Sequence, residues 1–292
     1  MKKFLKILMA VALAVCFVLP VVGCDNTTSG TNEPGLKCKK IGGVYTVYDY
    51  VQEEGVTVLD LGEELPADVT DVRIKKGAFS GNGTLTKIIV SDKVSKIDQG
   101  AFEKMSALVT LEVPFVGKSN HSDVTMGETA KGEDKAVDAE RTIAHFFGTS
   151  EYDAGIAITV KYNANDSTTC YMPVTFKEVI VNATSDYSIP MYAFNGAVNL
   201  SSIKLNGKID LIGEHAFDGV KEMKEIEIPA TVTKIYSGAF ANCSKLATLK
   251  FSGTSTLTKV EENAFVGTAL KDTALDGVLN LSADEKVEIF GE

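Results

Sequence analysis

His121, His145 and His215 are the three histidines of the chain, the side chains best suited to proton transfer near neutral pH. Their spacing matches no metal-ligand pattern, and His145 precedes Phe146 while His215 precedes Ala216, the contexts of apolar walls. Residues 128–140 hold five carboxylates. They lack the alternating oxygen ligands and the turn glycine of a calcium loop, so they read as a solvated charge run. The chain contains no nucleophile elbow, zinc-protease helix, phosphate loop or dinucleotide fingerprint. Tryptophan is absent, and bidentate recognition of anions would rest on Arg73 and Arg141 alone. The sequence therefore predicts a non-catalytic protein with no cofactor and no metal site. With 39 acidic against 29 basic residues and a net charge of −10, a nucleic-acid partner is also not expected.

One cysteine does suggest chemistry. Lys2, Lys3 and Lys6 precede an uncharged, mostly apolar stretch over residues 7–22, which ends in Gly23 and Cys24. A basic start, a short apolar run and small residues make a secretory signal, and the run is short for a permanent membrane span. Val21-Val22-Gly23-Cys24 resembles a bacterial lipobox, with Val22 where alanine or serine is commoner. That resemblance implies cleavage after residue 23 and lipid attachment at Cys24. The expected layout is a signal peptide over residues 1–23, a lipid-anchored tether over 24–40 and a folded domain over 41–292. The tether is expected to be flexible because it is polar and rich in Gly, Ser and Thr. Of the five cysteines, Cys38, Cys170 and Cys243 then remain; a Cys38–Cys170 bridge is possible, and Cys243 reads as a buried thiol.

The folded domain must be built from a repeat. Ala-Phe pairs end at Phe79, Phe102, Phe194, Phe217, Phe240 and Phe265, with Phe-to-Phe spacings of 23, 92, 23, 23 and 25 residues. The largest spacing is four times the smallest. Apolar residues around each pair also recur. Leu85, Ile88 and Val90 precede Val94 and Ile97, and Met223, Ile226 and Ile228 precede Val232 and Ile235. The shared unit is L-x-x-I-x-I, a gap, V-x-x-I, then x-x-x-A-F. The I-x-I alternation puts two side chains on one face of a short strand. A unit this short cannot bury such a face alone, but stacked copies share one continuous core.

This unit resembles the BspA-type leucine-rich repeat, over residues 58–113 and 174–265. The resemblance implies an α/β class fold: a β-rich leucine-rich-repeat solenoid with short convex helical or irregular turns at the Ala-Phe segments. At the family's cysteine position only Cys243 keeps the residue, which suits packing rather than chemistry. Leu279-Asn280-Leu281 is expected to be a closing strand, since terminal repeats are atypical. An inserted loop and hairpin segment is expected over residues 114–173, with a short core-facing helix near residues 141–147. Insertions of this kind project from one face of a solenoid, which makes this one a candidate for partner contact.

The outward positions of the I-x-I strands are the other candidate surface. One column is Lys87, Thr110, Glu178, Ser202, Glu225 and Thr248; the next is Ile89, Glu112, Ile180, Lys204, Glu227 and Lys250. The charges are mixed and no aromatic anchor is present, so broad, weak protein binding is expected rather than one tight ligand. The family resemblance implies a bacterial cell-envelope protein, anchored to the membrane by its lipid and exposed at the surface, whose solenoid binds host or extracellular-matrix proteins. The alternative is an anchored binding lipoprotein for a small ligand or glycan.

Overall fold

The computed structural model describes residues 33–120, 139–162 and 165–291. Cys24 and the lipobox, His121 and most of the acidic run lie outside the described residues.

The repeat forms two walls of parallel strands. The I-x-I segments give β3 (Val58–Asp60), β5 (Lys87–Ile89), β7 (Thr110–Val113), β10 (Glu178–Ile189), β11 (Ser202–Ile212), β12 (Glu225–Ile228) and β14 (Thr248–Phe251). The V-x-x-I segments give β4 (Val72–Ile74), β6 (Val94–Ile97), β13 (Lys234–Ile235) and β15 (Lys259–Val260), and the one-turn helix α1 (Leu61–Glu64) follows β3. β10 and β11 are long enough to serve both walls: the first halves pair as Val179↔Ile203 and the second as Ile189↔Ile212. β13 then continues the second wall from β11, as Ile212↔Ile235. The alternation predicted from sequence holds, with Ile88, Leu111, Val113, Val179, Val181 and Ile226 all fully or almost fully buried.

The Ala-Phe segments are irregular tight turns. The residue before each alanine has positive φ, namely Gly77, Gly100, Tyr192, His215, Gly238 and Asn263, and so does the second residue after each phenylalanine, namely Gly81, Lys104, Gly196, Gly219, Asn242 and Gly267. All lie between +51° and +78°. Two left-handed residues bracket the plug in every copy, which accounts for the recurring glycines before the family's cysteine position. The plugs stack into columns. Phe194, Phe217, Phe240, Phe265 and Phe290 follow one another at centroid distances of 5.2, 4.8, 5.2 and 5.5 Å. At the other end Tyr50, Phe79, Phe102 and Phe146 form a second run.

Both ends differ from expectation. β1 (Gly35–Ile41) pairs antiparallel with β2 (Val44–Val51), and β2 joins β4 in parallel. Residues 35–40 therefore belong to the fold and not to the tether, because Leu36 and Cys38 alternate inward with Tyr45 and Val47 and close the open end of the core. At the far end residues 279–281 form no strand. Helix α3 (Ala283–Phe290) ends the solenoid instead, started by a reciprocal capping box between Ser282 and Glu285. Its Phe290 supplies the last ring of the column, and Gly291 ends it at φ +76°.

The long interruption conceals a missing rung. Helix α2 (Ala144–Phe147) is wholly buried, as the short core-facing helix required. Its backbone bonds Phe102 N to Phe146 O on one side, and Ile143 N to Ala193 O on the other. α2 thus replaces the absent Ala-Phe turn. The rest of the insertion is the expected hairpin, β8 (Gly155–Lys161) against β9 (Ser167–Pro173), with Ile158 opposite Cys170. It is wedged into the turn layer: Tyr171 N donates to Gly148 O, and Lys161 N to Asn195 Oδ1 at 2.9 Å. A side chain at Gly196 would meet the Thr159 carbonyl, so that glycine is required by close approach as well as by φ.

Candidate functional site

The structure brings the twelve predicted outward residues onto one face, and none of them is buried. From Lys87 to Ser202 they are half-exposed, and from Lys204 to Lys250 they are exposed. Their placement follows from the two-residue period of the strand, with the alternate residues filling the core.

The first part of this face is occupied with itself. Glu178 sits at its centre, accepting from Thr110 Oγ1 at 3.2 Å and Ser202 Oγ at 3.0 Å, with Lys204 Nζ at 2.8 Å. Partial burial pushes its carboxyl up, but the hydrogen bonds from Lys204 and Ser202, the Lys204 charge and the Thr110 bond outweigh this and hold it below the usual range. Lys87 pairs with Glu112 at 3.0 Å, Glu112 accepts from Asn182, and Asn206 donates to Asn182 at 2.8 Å. These chains run across strands in the way cross-strand pairs stabilise a sheet. Beyond β11, Lys250 pairs with Glu225 at 2.7 Å.

An open groove of about 1030 Å³ lies where β11 faces β12. Ser202, Lys204, Asn206, Lys224, Glu227 and Thr231 are among its lining residues. Sequence reasoning placed some of these on the outward columns but missed the groove. The one signal present was Pro229, which ends β12 without an N–H to offer a neighbour.

The other candidates fall into structural roles. His145 is buried and its Nε2 lies 2.8 Å from Ile97 O. His215 stacks on Tyr192 at 5.2 Å and sits 3.1 Å from Asp218. Cys38 is disulfide-bonded while Cys170 and Cys243 are free, so the Cys38–Cys170 bridge is not formed. Cys243 is fully buried and its thiol faces Phe217 O at 3.1 Å, the packing role expected of it. Among the described residues no cluster of three or more His, Cys, Asp or Glu could hold a metal ion. No helix among them is long and apolar enough to cross a membrane.

Stacked parallel strands, a column of phenylalanine plugs and left-handed turn residues define a leucine-rich-repeat solenoid. The model of the BspA type leucine rich repeat region matches in six copies over residues 64–122 and 167–282. The chain belongs to that family. No protein of curated function matches it. Among solved structures it is similar to a leucine-rich repeat protein from Eubacterium ventriosum, at 17% identity and a TM-score of 0.47, covering 88% of this chain and 55% of that one. A Treponema pallidum leucine-rich repeat protein is similar at 15% identity and a TM-score of 0.36, covering 83% of this chain and 91% of that one. A Bacteroides ovatus leucine-rich repeat protein is similar at 17% identity and a TM-score of 0.36, covering 82% and 57%. The chain thus spans little more than half the length of the Eubacterium and Bacteroides proteins.

Proposed function

We propose that this is a lipid-anchored bacterial surface protein whose solenoid binds host or extracellular-matrix proteins without catalysis. The observation that carries the reading is the outward strand face, a mostly polar surface presented by stacked parallel strands over a packed repeat core. Membership of the repeat family supports a protein-binding role, and the leader ending at Cys24 supports export and anchoring. Because Glu178, Lys204, Lys87 and Glu112 are already paired with one another, any partner of this part must compete with internal bonds. That favours broad, modest affinity. The hairpin β8–β9 stands on the turn side, so it offers a second, separate contact area.

Two experiments test the reading. Protease treatment of intact cells should cleave the protein, and immobilised chain should capture matrix proteins from a host extract. A protein untouched on intact cells and released only after lysis would sink the surface assignment.

The groove beside β11 favours a second reading, an anchored lipoprotein that binds a small ligand or glycan. A thermal-shift screen with oligosaccharides and small solutes separates the two.

A further inference from the structure

The four-stranded sheet β1-β2-β4-β6 carries on its outer face a charge pattern that the fold does not need. Lys39 stands opposite Thr46, Thr46 opposite Arg73, and Arg73 opposite Lys96. Residues opposed in register share one face of a sheet. The next row, Cys38, Val47, Ile74 and Ile97, is buried, so the Lys39–Lys96 row faces solvent. It holds three cations and no acid. Arg73 and Lys96 are like charges on neighbouring strands, an arrangement that costs stability.

The surroundings neutralise this row only in part. Neither Lys39 nor Arg73 makes a side-chain hydrogen bond or ion pair among the described residues. Lys96 shares Asp98 with Lys75, at 3.5 Å each, so one acid answers two bases. Asp71, just before β4, accepts a hydrogen bond from the Ser95 hydroxyl, and Asp49 stands opposite Lys37. In a chain of net charge −10, this face is locally positive. Apolar side chains flank it. Ile41, at the tip of the β1–β2 hairpin, is 57% exposed, and Tyr48, two residues beyond Thr46, is 45% exposed.

A cationic row edged by an aliphatic and an aromatic side chain fits an anionic lipid surface. The headgroups meet the bases, while Ile41 and Tyr48 reach the interface. Position favours the same occupant. β1 begins at Gly35, eleven residues after Cys24, and a chain of that length reaches at most about 40 Å. An acylated Cys24 therefore keeps this end of the solenoid beside the membrane and raises its effective concentration there. We propose that the outer face of β1-β2-β4-β6 docks on the anionic phospholipid headgroups of the membrane that holds the anchor, with Lys39, Arg73 and Lys96 as its contacts. Docking by this face gives the solenoid a fixed orientation and leaves the twelve outward residues of the first wall outside the contact. This deepens the lipid-anchored reading and rests on it.

The test places the acylated protein, as extracted from membranes, in two kinds of vesicle: phosphatidylcholine alone, and an equal mixture of phosphatidylcholine and phosphatidylglycerol. Residue-resolved amide hydrogen exchange is read in both. The anionic lipid should slow exchange at the hairpin tip, Ile41, Gly42 and Gly43, and leave the amides of β12 and β14 unchanged. High salt should remove the effect. In K39Q/R73Q the protection should drop about tenfold, since each base near such a surface strengthens binding several-fold. Urea unfolding shows that this variant keeps its fold. Equal exchange in the two vesicles, slowing that survives both salt and K39Q/R73Q, or slowing spread equally over β12 and β14 would each overturn the proposal. So would slowing by a soluble heparin fragment with none by phosphatidylglycerol, which would assign the row to a sulfated glycan. Flotation with the neutral vesicles reports the anchor alone, so anchor and docking fail separately.

Discussion

Phe217 and Phe240 stack with ring centroids 4.8 Å apart and planes within 2° of parallel. Each is fully buried, and each is held by an identical turn one coil apart. The strand ladder spaces the coils at about 4.8 Å, a distance at which parallel phenyl rings fit as an offset stack, so the two spacings agree to within a few tenths of an ångström.

Truncating Phe240 to alanine should cost about 3–5 kcal/mol, the usual range for a buried phenylalanine. It removes a ring that touches neighbours on both faces, Phe217 and Phe265. Phe290 has a neighbour on one face only, so F290A should cost less and should fray the last coil. Urea unfolding of the two variants, compared with hydrogen exchange near Phe265, checks the order.

Gly238 stands at φ +60°, and a Cβ there would lie 2.5 Å from the His215 ring. G238A should lose about 1–2 kcal/mol from the left-handed backbone alone, and more from the collision. Replacing His215 with glycine removes the ring and also relieves a strained non-glycine residue at φ +51°. The double variant H215G/G238A should therefore be more stable than the sum of the single changes implies, as read by a double-mutant cycle in urea.

Acid should weaken the polar strand face in a defined window. The Glu178 carboxyl is held below its ordinary value of 4.5 in the fold. Its contribution is then complete above that value and is lost as pH falls through the lower folded value. E178Q should be less stable than the native chain at neutral pH, and the difference should vanish in acid. Thermal melts across that range measure it.

The cysteines respond to base. Burial pushes the Cys170 and Cys243 thiols up from 9.0 to about 12. A group whose folded value is raised gives stability below its unfolded value and loses it as pH climbs. The thiols should thus cost stability between about pH 9 and 12, and should resist iodoacetamide in the native state. Thiol counting before and after denaturation checks this. A C24A variant should move from the detergent phase to the aqueous phase.

Much of this architecture was legible because the repeat is periodic in residues that fill volume. Ala239-Phe240 and Ile226-x-Ile228 are copied with little change, and one copy predicts the burial of the others. The ends were harder. Leu36-x-Cys38 alternates over too few residues to stand out beside a polar stretch, and its meaning depends on β2 across the turn. Leu279-x-Leu281 alternates equally well, yet the capping pair Ser282 and Glu285 diverts the chain into a helix. The groove was invisible for a different reason. It arises from the relative path of two strands, β11 and β12, whose own patterns are ordinary. The sequence indicates a core-facing helix over residues 141–147, and the structure forms it over 144–147, but its service as a missing Ala-Phe turn needed the hydrogen bonds to Phe102 and Ala193.

Those last bonds bear on how such a molecule changes length. The chain leaves the stack after α2, builds a hairpin in the turn layer, and re-enters at β10, whose Glu178 falls in register with Thr110 of β7. The points of departure and return, Gly148 and Pro173, bracket a segment that can therefore change without disturbing the coils above and below. A shorter or longer excursion spliced between them would alter what the turn side displays while leaving the strand side untouched, so the two faces of one solenoid are free to diverge independently.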